Sequence, residues 1–158
     1  MKFHKLESMN TGEGTSKFKN WKAGWSDPGG LGVMDYISHQ IHPEDFIITS
    51  ELLFPSFREV EEGLYWNERF DEKAFEQWKD RLGNNTMDLE KVVNHLHIYD
   101  LFDGSPDDIS EEVFVQAGQI LRKSWQLWLD SQFPDRKILV ELSVDEGEYG
   151  PTLYVFQM

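Results

Sequence analysis

The apolar residues of this chain change period across a single proline. Before Pro134, the residues Ile109, Val113, Phe114, Ala117, Ile120, Leu121, Trp125, Trp128 and Leu129 recur at helical spacing and cover a broad face. After it, Ile138, Val140, Leu142 and Val144 alternate strictly. A 3.6-residue period turns one stripe toward a core and a two-residue period turns one sheet face toward it, so neither stretch can adopt the other's structure. The first is predicted to be a long central helix over about 106–131, opened by Ser105-Pro106-Asp107-Asp108 with serine as cap and two acids on the positive dipole end. The second is predicted to be a half-buried strand that this helix covers. Beyond the acidic loop DEGEYGP, residues 152–157 carry apolar side chains on both faces, which suits an interior antiparallel strand and makes 137–157 a hairpin.

A second hairpin is predicted at about 57–68, where FREVE and LYWNE flank Glu62-Gly63 and Gly63 is expected at a positive-φ position. Between the hairpins the signals are helical. Asp71 caps a helix that runs to Leu82 and stops at Gly83, with Phe70 and Phe75 placed as a hydrophobic staple and Phe75, Trp78 and Leu82 on one face. Leu89, Val92, Val93 and Leu96 define the next helix. Upstream, Val33, Tyr36, Ile37 and Ile41 predict a helix over 33–41. The segment 43–54 is contested: Pro43-Glu44-Asp45 is a helix start, whereas Ile47-Ile48-Thr49 pulls toward strand. It is assigned to helix, ended by Pro55. Hairpins with helices grouped between them indicate an α+β fold, with one antiparallel sheet built from both hairpins and packed against several helices.

At 158 residues the chain fits a single domain that needs no metal or disulfide staple. Residues 1–30 are polar and Gly-rich and end in SDPGG; they read as a loosely ordered arm pinned by Phe18, Trp21 and Trp25, leaving 31–158 as one α+β domain. The formal net charge of −14 argues against nucleic acid as a partner, since phosphate binding needs cations. The absence of cysteine excludes a disulfide scaffold, a cysteine nucleophile and a thiolate metal site. No stretch approaches the ~18 apolar residues of a membrane span, and the N-terminus has no apolar secretory core, so no membrane association is expected and the cytoplasm is the default location.

The charge is unevenly placed. Residues 1–24 hold five lysines against two glutamates, while 23–57, 92–121 and 138–158 contain no Lys or Arg. The middle stretch gathers Asp100, Asp103, Asp107, Asp108, Glu111 and Glu112. A concentrated negative patch repels itself and attracts a basic partner, so these six residues are the candidate partner-binding surface. That pattern suits a small non-enzymatic binding or inhibitor protein of the immunity or antitoxin kind.

The alternative is a small metal-dependent enzyme. In Asn94-His95-Leu96-His97-Ile98-Tyr99-Asp100, two imidazoles and a carboxylate supply ligand types that zinc, iron or nickel accept. On a continuous helix His95 and His97 point roughly 160° apart, so they meet only if the helix ends by His95 and the following residues run extended. His39 and His42, three residues apart, could join them. The remaining motifs argue against specific chemistries. DEGEYG lacks the alternating ligands of a calcium loop, and phosphate-binding Gly loops and a G-x-S-x-G elbow are absent. No catalytic residue is assigned, and no cofactor is expected.

Overall fold

A computed structural model describes residues 12–83, 85–105, 109–145, 147 and 149–158. The fold is α+β, with seven α-helices and two small antiparallel sheets among the described residues. By contacts the chain divides into two compact units, residues 1–50 and 51–158.

The first unit holds a 3-10 turn (Gly12–Gly14), α1 (Ser16–Ala23), α2 (Val33–Gln40) and most of α3 (Pro43–Leu53). Part of the segment read as an arm is thus helical. Thr15 Oγ1 caps α1 by accepting from Phe18 N at 3.3 Å. The three aromatics of this segment meet one another and α2: Trp21 stands edge-on to Tyr36 (5.2 Å between ring centroids) and Trp25 edge-on to His39 (5.2 Å). Helix wins over strand in 43–53. His42 Nδ1 accepts from Glu44 N at 3.2 Å, and Glu44 and Asp45 occupy the first turn, so cap and dipole outweigh the β-branched run.

The second unit begins with the hairpin β1 (Phe57–Val60) and β2 (Gly63–Trp66). Its positive-φ residue is Glu61 (φ 55°), not Gly63 as the sequence suggested. Gly63 lies within the strand, paired with Val60, and is small because the Tyr65 ring lies over it: a Cβ there would meet the phenol at 2.6 Å. Helix α4 (Glu72–Leu82) follows the predicted rules. Asp71 Oδ1 accepts from Ala74 N at 2.7 Å, Phe70 and Phe75 approach to 5.4 Å, and Gly83 takes φ 67° past the end. Trp78, expected on its buried face, is instead exposed and carries the Arg81 guanidinium over its ring at 5.2 Å.

Helix α5 (Thr86–Val93) ends at Asn94, so Leu96 belongs not to it but to the short strand β3 (Leu96–His97). After α6 (Ile98–Leu101) comes the long helix α7 (Glu111–Gln132), which starts five residues later than Pro106. Ser110 is extended (φ −69°, ψ 146°) and holds the cap position, with Glu111 and Glu112 as the first-turn acids. Pro106, Asp107 and Asp108 lie outside the described residues. The unit closes with β4 (Ile138–Ser143) and β5 (Thr152–Gln157). Ile138 and Val140 are buried as their alternation implied, but Val144 falls beyond the strand and is exposed.

The hairpins do not join in one sheet. One sheet is β1-β2; the other has the order β3-β5-β4, with β5 interior as its two-sided apolar pattern required. Side chains of α5 stand between them. Glu90 and Asn94, one helical turn apart, are both completely buried. The Glu90 carboxylate accepts from Leu64 N (2.7 Å) in β2 and from Gln157 N (2.6 Å) in β5. Asn94 accepts from Trp66 N (3.0 Å) and donates to Leu64 O (2.8 Å) and Val155 O (3.0 Å). These bonds satisfy strand groups that a direct β2–β5 ladder would otherwise have paired, as buried backbone groups require.

Helix α7 covers the three-stranded sheet, as its broad apolar face predicted. Leu121, Trp125 and Leu129 share one core with Ile138, Val140, Leu153 and Val155. Gly118 permits the approach, because a Cβ there would lie 2.8 Å from Leu142 Cδ1. The outer edge of β4 is closed by another side chain of α7: Gln126 Nε2 donates to Ile138 O (2.9 Å) and Gln126 Oε1 accepts from Val140 N (2.9 Å). That edge therefore offers fewer open groups for pairing with another chain.

Candidate functional site

Four of the six acids singled out from sequence lie among the described residues: Asp100 on α6, Asp103 just after it, and Glu111 and Glu112 in the first turn of α7. All four are exposed. Asp100 is paired with Arg69 at 3.3 Å. Among the described residues no ion pair is found for Asp103, Glu111 or Glu112; Glu112 accepts only a long bond from Gln116 Nε2 at 3.4 Å. Asp107 and Asp108 lie outside the described residues.

The histidines of the alternative reading behave differently from a helical projection. Because α5 stops at Val93, His95 and His97 do meet, edge-to-face with ring centroids 5.2 Å apart. Their tautomers follow from their partners. His95 Nδ1–H donates to Val92 O at 2.5 Å. Thr152 Oγ1 gives its own proton to Gly150 O (3.1 Å), so it accepts from His97 Nδ1–H at 2.8 Å. Both lone pairs then sit on Nε2, the arrangement that a backbone or hydroxyl partner imposes on a metal-binding imidazole. A third ligand is missing, since among the described residues no group of three His, Asp or Glu side chains converges and Asp100 turns to Arg69. His39 and His42 are not on one helical face, because α2 ends at Gln40. His39 donates to Asp35 O at 2.7 Å, and His42 caps α3.

Among the described residues, two of the open depressions adjoin the three-stranded sheet. The larger, about 690 Å³, is lined by Lys91, Arg122, Glu141, Asp145 and Tyr154 among others, a mixture of signs that focuses no field. The smaller, about 310 Å³, is lined by Tyr99, Glu111, Val144, Asp145, Tyr149, Gly150 and Pro151, so one of the candidate acids opens onto it. Sequence reading singled out Glu111 but missed both tyrosines, whose only signal was their place beside Asp100 and in the EYGP turn. It also missed Glu90 and Asn94, which look like ordinary polar residues on an amphipathic helix until the two sheets are in place.

This is therefore an α+β chain whose exposed carboxylates outnumber their cationic partners. No family model, no curated protein and no solved structure matches it.

Proposed function

We propose that this chain is a non-enzymatic protein-binding or inhibitor domain, of the immunity or antitoxin kind, that engages a basic protein. One observation carries the reading: Asp103, Glu111 and Glu112 are exposed and unmatched by cations among the described residues, close in sequence to Asp100, which meets only Arg69. In a chain of net charge −14, uncompensated carboxylates add self-repulsion, and a basic partner relieves it while gaining association rate. The test uses the partner recovered by untagged pull-down. Its on-rate is expected to fall as salt rises, and Asp100→Asn/Asp103→Asn/Glu112→Gln is expected to slow association by about tenfold. A triple variant that associates as fast as the parent overturns the proposal.

The His95–His97 contact favours a second reading, a small metal-dependent enzyme that uses His95 and His97. It is the weaker one, since Asp100 is held by Arg69. Stoichiometric zinc, iron or nickel in protein purified without chelator or affinity tag would promote it.

A further inference from the structure

We infer that the hollow between α6, the start of α7 and the turn before β5 is a pocket for a single cationic side chain, an arginine or lysine of the partner. This rests on the reading of a basic partner and gives it an anchor point. The walls are of two kinds. Tyr99 and Tyr149 stand edge-to-face at 5.5 Å, and Glu111 and Asp145 border the same hollow, Asp145 Oδ2 also accepting from Ser143 Oγ at 3.2 Å. Aromatic faces carry negative quadrupole density that draws an ammonium or guanidinium, and carboxylates supply its hydrogen-bond acceptors.

The aromatic wall is built rather than incidental. Phe114 of α7 packs edge-to-face with Tyr99 at 4.8 Å, and the Tyr99 ring also lies against Gly150, where any Cβ would run into it. Gly150 also takes φ 73°, which L side chains rarely adopt, so the chain has two reasons to carry glycine there. Tyr149, held edge-on by His97 at 5.8 Å, remains exposed, as an open face for a ligand requires. A volume of about 310 Å³ has room for one long side chain. Among the described residues that line it there is no Lys or Arg.

The experiment is an NMR titration of the whole chain with N-acetylarginine amide, and with N-acetylcitrulline amide as its neutral isostere. The expected result is saturable millimolar shifts of the Tyr99 and Tyr149 ring signals and of the amides of Glu111 and Gly150, with the arginine compound only. Tyr149→Leu is expected to weaken binding about tenfold and Asp145→Asn several-fold, both at positions exposed enough to leave the fold intact. Asp100→Asn/Asp103→Asn/Glu112→Gln, which spares the pocket, is expected to leave these shifts in place. Equal shifts with the citrulline compound, or full binding in Tyr149→Leu, overturn the pocket. If the triple variant abolishes the shifts while Tyr149→Leu retains them, the pocket fails and the wider acidic surface stands. If neither compound shifts any signal the pocket also fails, and the partner's on-rate then decides the broader proposal alone.

Discussion

Glu90 is a completely buried carboxylate whose partners are all uncharged: two backbone N–H groups and the Gln157 side-chain amide at 2.6 Å. One carboxylate oxygen receives from β2 and the other from β5. Glu90→Gln would turn an amide N–H₂ toward one of those donors, and leaving such a group unmatched costs about 1–3 kcal/mol. Urea denaturation is expected to show that loss, and a change below about 0.5 kcal/mol would refute the bridging role. Tyr65 is governed by the same region. Burial, with the charges of Glu90 and Glu61 adding to it, pushes its phenol from 10.0 up to about 12. In the unfolded chain the proton leaves near pH 10, whereas the folded chain holds it until about 12, so stability is intact below pH 10 and falls as pH rises through that window. Thermal melts between pH 9 and 12 are expected to decline more steeply for the parent than for Tyr65→Phe; parallel slopes would contradict this.

At the scale of elements, α7 and the strands it covers were legible because burial there is periodic. Trp125 is fully buried and its Nε1–H donates to Leu52 O at 2.6 Å; Trp128 is only half-buried, with its indole N–H on Pro55 O at 3.1 Å. Trp125→Ala is therefore expected to cost about 3–5 kcal/mol and Trp128→Ala clearly less, so equal losses in chemical denaturation would contradict the packing described. The capped helix α4 was equally legible, since Asp71, the Phe70–Phe75 staple and Gly83 are local signals read one turn at a time. What failed was non-local. The end of α5 at Asn94 is set by strands 28 and more residues away, which take up the Asn94 amide. Nothing in the pattern Leu89, Val92, Val93, Leu96 reveals such partners. The approach of His95 to His97 followed from that same helix end, so the sequence could only pose it as a condition. The start of α7 shifted for a local reason: Ser105-Pro106 and Ser110-Glu111 are both good helix starts, and the sequence offers no way to rank them.

For the molecule as a whole, charge has opposite consequences for stability and for association. Net charge −14 places like charges on one fold and works against compactness. Raising salt from 0.01 to 0.15 M shortens the screening length from about 30 to about 8 Å, so the isolated chain is expected to melt at a higher temperature, while capture of a basic partner slows. If the candidate acids serve recognition, their removal should scarcely disturb folding. Asp100→Asn loses one surface ion pair, worth about 0–1 kcal/mol, and Glu112→Gln loses a favourable charge at the start of α7, worth about 0.3–1 kcal/mol. Asp103→Asn loses no ion pair, and each change removes some self-repulsion. The triple variant is therefore expected to lie within about 1 kcal/mol of the parent in denaturant titrations, close to the ordinary range for surface substitutions. A loss above about 3 kcal/mol would mean that these carboxylates hold the fold together, and slower binding by the variant could then no longer be attributed to charge.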